Sequence, residues 1–162
     1  MESKKITIIG AGLIGSLLAI YLKRHGHKVA VFERRPDLRK AKISAGKSIN
    51  LALSDRGWRP LKDVGLEEEL LKMIIPMKGR LMHDMKGNLT FQPYGKEGQA
   101  INSISRGGLN ALLMNRAEEM GVKFHFDHKC LDVDFDHNLV ELEEKGNTFQ
   151  VDSDLIFGTD GA

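Results

Sequence analysis

The stretch Ile8-Ile9-Gly10-Ala11-Gly12-Leu13-Ile14-Gly15 decides the fold. It begins in a β-branched run, Lys5 to Ile9, which predicts a buried strand. It then enters a segment, Leu13 to His25, whose apolar residues recur at helical spacing. Lys28 to Phe32 predicts a second strand, which Glu33 closes. Strand, helix and strand follow one another within about thirty residues, which predicts an α/β fold with a parallel sheet.

The three glycines of this stretch predict a turn that binds a dinucleotide. Gly10 permits the tight turn, Gly12 lets the backbone approach a pyrophosphate, and Gly15 lets the helix pack closely on the strand. The phosphates then lie on the free N–H groups at the start of the helix. Glu33 places a carboxylate where it can accept hydrogen bonds from ribose hydroxyls. The alternative is a structural glycine turn with a solvent-exposed Glu33.

The residues around Glu33 bear on which dinucleotide binds. A carboxylate at this position repels a 2′-phosphate, which favours FAD or NAD over NADP. Arg34 and Arg35, which follow it directly, weaken that exclusion. The residues by themselves leave the choice between FAD and NAD open.

The composition is that of an ordinary globular domain. The 162 residues are 41% hydrophobic and 28% charged, and no run reaches the roughly 18 apolar residues of a membrane span. With 24 basic and 22 acidic residues the net charge is +2, so charge gives no support for a nucleic-acid partner. A single cysteine excludes an internal disulfide, and no ligand spacing predicts a metal site. We therefore expect a cytoplasmic protein, and the stop at Asp160-Gly161-Ala162, directly after an apolar run, suggests a piece of a longer one.

The rest of the chain predicts helices, a hairpin and a β-rich tail. These elements are, in chain order, a surface loop over 34–47, an extended segment over 48–53, helices over 54–61 and 66–74, a hairpin over 80–92, a strand over 101–104, a helix over 106–120 and five short strands between 122 and 157. Lys86-Gly87-Asn88 supplies the turn of the hairpin, and Ser54 and Ser105 are predicted helix caps.

Two side chains on either side of the hairpin form a second candidate site. If the two strands pair, Arg80 and Tyr94 can reach a common pocket. An arginine captures a carboxylate with two parallel hydrogen bonds, and a tyrosine hydroxyl adds another. The alternative is a surface arginine and a packed tyrosine.

Four further residues have weaker signals. Arg106 opens a helix, where its charge opposes the helix dipole, so it predicts either a phosphate or flavin contact or a solvated surface position. Cys130, in an apolar run, is predicted to be buried and inert. His125 and His128 are three residues apart, which puts them on opposite faces of one strand and makes metal binding a poor interpretation.

Several segments together carry a resemblance to a known family. They are Ile8 to Leu17, Lys47 to Gly57 (KSINLALSDRG), Gly65 to Glu67, Ile75 to Arg80 (IPMKGR), Pro93 to Gly95, Ser105 to Asn110 and Asp154 to Ala162. The first is shared by many flavoproteins, whereas the second and the IPM-x-x-R and PYG pair are far more specific. The chain resembles the N-terminal part of the kynurenine 3-monooxygenase family, which belongs to the single-component flavoprotein aromatic hydroxylases with the p-hydroxybenzoate-hydroxylase fold.

The resemblance implies an architecture that is truncated relative to the family. It implies a Rossmann-like, three-layer FAD-binding domain of the GR2 type, formed by residues 1–75 and 105–162. Residues 76–104 are expected to supply a β-hairpin and strand to the sheet of a substrate-binding domain. The later segments of the family, which complete the cofactor site, lie beyond residue 162.

The resemblance also implies site residues. The expected FAD contacts are Gly10, Gly12, Ile14, Gly15, Glu33, Arg34, Ala52, Arg106, Cys130, Asp160 and Gly161. Arg80 and Tyr94 match the pair that holds the carboxylate of L-kynurenine. The chain itself is expected to carry no catalytic side chain and no metal ligand.

The implied reaction has two halves. NADPH, bound transiently, reduces FAD; the reduced flavin then adds dioxygen as a C4a-hydroperoxide, which converts L-kynurenine to 3-hydroxy-L-kynurenine. The alternatives are another single-component flavoprotein hydroxylase and a non-catalytic dinucleotide-binding module. Residues 1–162 alone are expected to retain FAD weakly and to be inactive. Eukaryotic members sit on the outer mitochondrial membrane through C-terminal segments, so membrane attachment stays open.

Overall fold

The computed structural model describes residues 2–40, 50–96 and 100–161, which form two compact units. The first unit comprises residues 1–46 and 110–162, and the second comprises residues 47–109. The predicted loop and extended segment over 41–49, the loop at 97–99 and the end at residue 162 lie outside the described residues. Assigning residues 76–104 to a substrate-binding domain stays a prediction. No helix of the described ranges is long and apolar enough to cross a membrane.

The two units contain twelve strands and four helices within the described ranges. In chain order they are β1 (Lys5–Ile9), α1 (Leu13–Arg24), β2 (Lys28–Glu33), β3 (Asn50–Leu53), α2 (Asp55–Asp63), α3 (Glu67–Leu71), β4 (Ile75–Met77), β5 (Gly79–His83), β6 (Leu89–Pro93), β7 (Ile101–Ser105), α4 (Arg106–Glu119), β8 (Lys123–Phe126), β9 (His128–Asp134), β10 (Leu139–Glu144), β11 (Asn147–Asp152) and β12 (Leu155–Gly158).

A parallel sheet with the order β12-β1-β2-β8 organises the first unit. All three strand pairings are parallel, which confirms the predicted α/β fold. Strand β2, which follows β1 in the chain, pairs with one edge of β1, and β12 pairs with its other edge. The strand order therefore reverses at β1, and in open α/β sheets ligands bind at the carboxyl ends of the strands at such a switch point.

The first unit has three layers. Because side chains alternate along a strand, Ile8 and Val31 face one side of the parallel sheet and Ile9 and Phe32 face the other. Ile9 and Phe32 form a buried cluster with β10 of the antiparallel sheet β11-β10-β9. Helix α1, which packs on β1 and β2, covers the opposite side. This arrangement matches the predicted three layers.

An arginine ties the loop after β2 to α4. The Arg39 guanidinium donates to both carboxylate oxygens of Asp37 at 2.8 Å, to Asn115 Oδ1 at 2.8 Å and to the Glu118 carboxylate at 2.5 and 3.0 Å. The hydrogen bonds from Arg39 hold the pKa of the Asp37 carboxyl below its usual value, although burial opposes them. The network holds residues 37–39 against the C-terminal half of α4, which contains Asn115 and Glu118.

The second unit consists of the antiparallel sheet β3-β7-β4, the hairpin β5–β6 and two short helices. The predicted hairpin is confirmed. The predicted helix over 66–74 is wrong in length, since α3 ends at Leu71 and strand β4 begins at Ile75. Pro76 disfavours helical backbone at Ile75, where β4 begins, and a turn at residues 72 and 73 lies between that strand and the end of the helix.

The two predicted helix caps have different outcomes. Ser54 precedes α2 in extended conformation, but its side chain makes no capping hydrogen bond. Ser105 does cap α4, since its Oγ accepts a hydrogen bond from Gly108 N at 3.2 Å.

Candidate functional site

The glycine turn lies at the carboxyl end of β1 and needs glycine for two different reasons. Gly10 has φ +101°, and a Cβ there would come within 2.8 Å of the backbone of Asp160. A Cβ on Gly15 would overlap the carbonyl oxygen of Gly10 and lie 2.5 Å from Thr159 Oγ1. Gly12 differs from both, since a Cβ there would meet nothing within 4 Å. The turn is therefore closely packed on its inner side and open at Gly12, the residue before α1.

Glu33 ends β2 with a buried carboxylate beside the turn. Its Oε2 accepts a hydrogen bond from Ala11 N at 2.9 Å, and its Oε1 accepts from Arg35 N at 3.0 Å and Arg35 Nε at 2.8 Å. Burial raises the pKa of this carboxyl, but the hydrogen bonds from Arg35 and Ala11 outweigh burial and leave the pKa below its ordinary value. Glu33 is thus an ionised acceptor at neutral pH. The alternative of a solvent-exposed Glu33 is wrong.

The end of β12 closes the turn from the other side. Thr159 N donates to Ile9 O at 2.8 Å, and Thr159 Oγ1 lies 2.9 Å from Gly10 O. Asp160 and Gly161 follow directly and are exposed, with Gly161 at φ +74°. The first unit thereby brings the ends of β1, β2 and β12 to one edge of the sheet.

The start of α1 offers both polar and apolar contacts. The first N–H groups of a helix have no partner inside the helix, and they carry its positive end. Ile14, in this first turn, is 71% exposed, which is unusual for a large apolar side chain. Arg34, next to Glu33, is also exposed. These groups fit an anionic ligand that has an apolar part.

Cys130 lies on β9 and is only partly buried, whereas the sequence predicted full burial. It packs against the cluster of Ile9 and Phe32 with Val140 and Leu142. Burial, and then the negative charge of Asp160, raise the pKa of its thiol, so the thiol is protonated at neutral pH. A cofactor contact of Cys130 stays a prediction.

The expectation that His125 and His128 face opposite sides of one strand is wrong. His125 lies on β8 and His128 on β9, because the chain turns between them at Asp127, which has φ +60°. Their ring centroids are 5.6 Å apart, and His125 stacks on Phe32 at 4.7 Å. Burial, and then the proximity of His128, lower the pKa of His125. The two rings therefore pack with an aromatic neighbour.

In the second unit, the hairpin places Arg80 and Tyr94 on one face. Arg80 pairs with Gln92 across the strands, and Tyr94 N donates to Lys78 O at 3.0 Å, so alternation puts the side chains of Arg80, Gln92 and Tyr94 on the same side. Arg80 Nε donates to Gln92 Oε1 at 2.7 Å. Both Arg80 and Tyr94 are exposed. This fits the predicted common pocket, whose ligand stays a prediction.

The other two predicted cofactor residues of the second unit are also exposed. Ala52 lies on β3, and Arg106 is the first residue of α4. Ser105 caps the helix there, so the N-terminal turn forms despite the unfavourable position of the arginine charge.

Two polar residues that support the turn were not predicted. Thr159 holds Gly10, and Asn110, on α4, donates from its amide to Ala11 O at 2.9 Å. The signal in the sequence is a single polar residue within the apolar run Leu109–Met114, which marks Asn110 as a polar group with a partner but does not say which partner.

Comparison with known protein families shows which family contains this chain and its glycine turn. Residues 3–162 match the family model described as "FAD binding domain". The chain belongs to this FAD binding domain family. The group that the family implies is FAD, and the residues fit it, since the turn is open at Gly12 and an ionised carboxylate stands at the end of β2.

Relatives in bacteria match nearly the whole chain. The kynurenine 3-monooxygenase of Myxococcus xanthus is 49% identical over 167 residues, which is 99% of this chain and 36% of the relative. The kynurenine 3-monooxygenase of Cytophaga hutchinsonii is 50% identical over 166 residues, 98% of this chain and 36% of the relative. The chain thus spans about a third of the length of these relatives.

Solved structures share the fold at low identity. p-Nitrophenol 4-monooxygenase PnpA of Pseudomonas putida superposes with a TM-score of 0.78 at 16% identity, over 100% of this chain and 42% of that one. A triple mutant of the flavin-dependent brominase Bmp2 gives a TM-score of 0.73 at 21% identity, over 98% and 39%. At such identities the likeness establishes the fold alone.

Proposed function

We propose that this chain supplies the FAD site and part of the substrate site of a flavoprotein that hydroxylates L-kynurenine to 3-hydroxy-L-kynurenine, with NADPH as reductant and dioxygen as oxidant. The observation that carries the proposal is 43–50% identity to bacterial kynurenine 3-monooxygenases over 98–99% of the chain. Such a protein belongs to tryptophan degradation through kynurenine and to NAD biosynthesis. We place it in the cytoplasm, with the outer mitochondrial membrane as the alternative for a eukaryotic source.

The first unit would hold the adenosine and pyrophosphate of FAD. Glu33 would accept hydrogen bonds from the ribose hydroxyls in place of those from the Arg35 side chain, because its carboxylate is ionised and stands beside the turn. Gly12 leaves room for the pyrophosphate, which the first N–H groups of α1 bind. When bound, FAD supplies the redox chemistry. The other cofactor contacts that the resemblance implies, and that we propose with these, are Ile14, Arg34, Ala52, Arg106, Cys130, Asp160 and Gly161.

The hairpin would bind the substrate's carboxylate. Gln92 holds the Nε edge of the Arg80 guanidinium at 2.7 Å, which leaves the two terminal nitrogens to form parallel hydrogen bonds with a carboxylate. The Tyr94 hydroxyl, on the same face, donates another. Together they would orient an amino acid by its carboxylate end.

The test uses a chimaera in which residues 1–162 are followed by the remainder of the Myxococcus xanthus relative. We expect the chimaera to bind FAD, to oxidise NADPH faster when L-kynurenine is added and to release 3-hydroxy-L-kynurenine. The remainder alone, without residues 1–162, is the control and is expected to do none of these.

Two results would replace the proposal. A chimaera that binds FAD but responds only to a different aromatic compound would favour another flavoprotein hydroxylase. A chimaera that binds FAD and never consumes NADPH would favour a non-catalytic dinucleotide-binding module. Residues 1–162 alone are expected to bind FAD weakly, so stoichiometric flavin absorbance in the purified chain would contradict that expectation.

A further inference from the structure

Asn110 is a buried polar side chain that contacts the glycine turn from α4. It is 6% exposed and its helix neighbours are apolar and buried, namely Leu109, Leu113 and Met114. Its Nδ2 donates to Ala11 O at 2.9 Å, and its Oδ1 lies 3.4 Å from Ser16 Oγ. A buried amide is costly unless its hydrogen bonds are satisfied, so this side chain has a defined partner rather than a filling role.

The peptide group between Gly10 and Ala11 is held at both ends. Its N–H, on Ala11, donates to Glu33 Oε2 at 2.9 Å. Its carbonyl, on Gly10, accepts from Thr159 Oγ1 at 2.9 Å. The two groups of a trans peptide point in opposite directions, and here each meets a protein partner.

Among the described residues, the next peptide group, between Ala11 and Gly12, has hydrogen-bond partners at its carbonyl end only. Its carbonyl accepts a short hydrogen bond from Asn110 Nδ2 at 2.9 Å and a longer one from Ser16 Oγ at 3.4 Å. Planarity then turns its N–H, on Gly12, in the opposite direction. That direction leads away from α4, and Gly12 is the glycine whose Cβ would meet nothing within 4 Å. The open end of the turn therefore carries an N–H group that Asn110 has oriented.

We infer that Asn110 is a positioning residue of the dinucleotide site: by fixing the Ala11 carbonyl it aims the Gly12 N–H at the pyrophosphate. The inference rests on the proposed FAD site. Asn110 touches no ligand itself and acts through one peptide plane. Preorganised backbone donors bind an anion without the cost of reorienting when it arrives.

Asn110→Asp tests this with almost no change in side-chain size. At pH 8 the carboxylate is ionised and faces the Ala11 carbonyl. Because both groups are hydrogen-bond acceptors, they repel each other, and we expect the peptide plane to rotate. As the pH falls towards 5, the buried carboxyl takes up a proton and donates the lost hydrogen bond again. Glu33, the ionisable group at the end of β2 that accepts from Ala11 N, stays ionised over this range because its pKa is lowered.

The probe is ADP, which carries the adenosine and pyrophosphate of FAD without the flavin. We expect Asn110→Asp to bind ADP about tenfold more weakly than the unchanged chain at pH 8 and to approach it at pH 5. Asn115→Asp, an exposed position on the same helix, is the matched control and is expected to show no such pH profile. A folded Asn110→Asp chain with unchanged ADP affinity at pH 8 would overturn the inference.

A second measurement needs no ligand. In ¹⁵N–¹H spectra, Asn110→Ala is expected to move the amide signals of Gly12 and Leu13 and to leave that of Gly146, in the distant β10–β11 turn, in place. A folded Asn110→Ala chain whose Gly12 and Leu13 signals do not move would overturn the inference. This test does not depend on whether the Asn110→Asp chain folds. If these signals move but the unchanged chain binds neither ADP nor FAD, the orientation of the peptide stands and the proposed FAD site fails.

Discussion

The glycine turn and the hairpin both carry candidate binding groups, but they present them in opposite ways. In the turn, buried Glu33 is hydrogen-bonded within the first unit before any ligand arrives. On the hairpin, Arg80 and Tyr94 are exposed, and the opposite face shows Leu81, with an exposed fraction of 54%, and Phe91, with 58%. The turn is thus preorganised by its own unit, whereas the hairpin offers side chains whose surroundings have to be completed. Substitutions that disturb the packing of the turn should therefore lower stability, whereas substitutions on the exposed hairpin should leave stability nearly unchanged.

The largest effect is expected at Gly15. Gly15→Val places a branched side chain against the Gly10 carbonyl and Thr159 Oγ1, which no rotamer can avoid, so the unfolding free energy should fall by about 3 kcal/mol or more. Gly12→Ala is the matched control, since its methyl enters open space, and stability should change by less than about 0.5 kcal/mol. Urea denaturation measures both.

Gly12→Ala should nevertheless weaken ADP and FAD binding, because the methyl occupies the space through which the pyrophosphate approaches. A stable Gly12→Ala chain with unchanged affinity would show that the open space is not the ligand's.

The next contrast compares a core position with a hairpin position. Val140→Thr inserts a hydroxyl into the buried cluster of Ile9 and Phe32 and should cost about 1–3 kcal/mol of unfolding free energy. Leu81→Thr, on the exposed hairpin face, should cost less than about 0.5 kcal/mol. Thermal and urea unfolding of the two variants check this. A Leu81→Thr chain as destabilised as Val140→Thr would mean that the hairpin face is packed in solution.

Arg80→Ala is expected to separate binding from stability. In the chimaera it should raise KM for L-kynurenine at least about tenfold, since the carboxylate loses a paired cation, while the unfolding free energy stays within about 0.5 kcal/mol. Lys86→Ala, in the exposed turn of the same hairpin, serves as the control. Equal KM values for Arg80→Ala and the unchanged chimaera would remove the hairpin from the substrate site.

The smallest expected effect is a change in pH dependence at Glu33. Its pKa is lower in the folded chain than its ordinary value of 4.5, so it contributes stability above that pH, and the contribution is lost as the pH falls through the folded pKa. Glu33→Gln should therefore flatten the acid limb of the unfolding free energy below about pH 4.5. Glu2→Gln, at an exposed position, should leave that limb unchanged. Identical acid limbs for Glu33→Gln and the unchanged chain would contradict the role of the buried carboxylate.

The sequence was sufficient for the parts of the fold that depend on local pattern. The glycine spacing and the flanking β-branched runs predicted β1, α1 and β2, and Lys86-Gly87-Asn88 predicted the hairpin. Both are short-range signals, because a turn or a helical period is written within a few residues.

What the sequence could not supply depends on contacts between distant residues. The hydrogen bond of Asn110 to Ala11 joins residues 99 positions apart, and no periodicity reports it. The pairing of His125 with His128 was missed because it depends on the backbone of Asp127, which adopts a conformation that non-glycine residues rarely take. Local pattern predicted a dinucleotide, FAD or NAD, for the turn and a carboxylate for the hairpin; the choice of FAD and of L-kynurenine came from the resemblance.

The pairing of β1 with β12 has a consequence for how the protein is made. The Thr159 N–H donates to Ile9 O across 150 residues of chain, so β1 leaves the ribosome long before the strand that completes its edge. At about 5–20 residues per second the delay is on the order of 10–30 s. Throughout that time the backbone N–H and C=O groups along one edge of β1 lack the strand that pairs with them in the folded unit, and an unpaired edge of this kind can pair with strands of other chains.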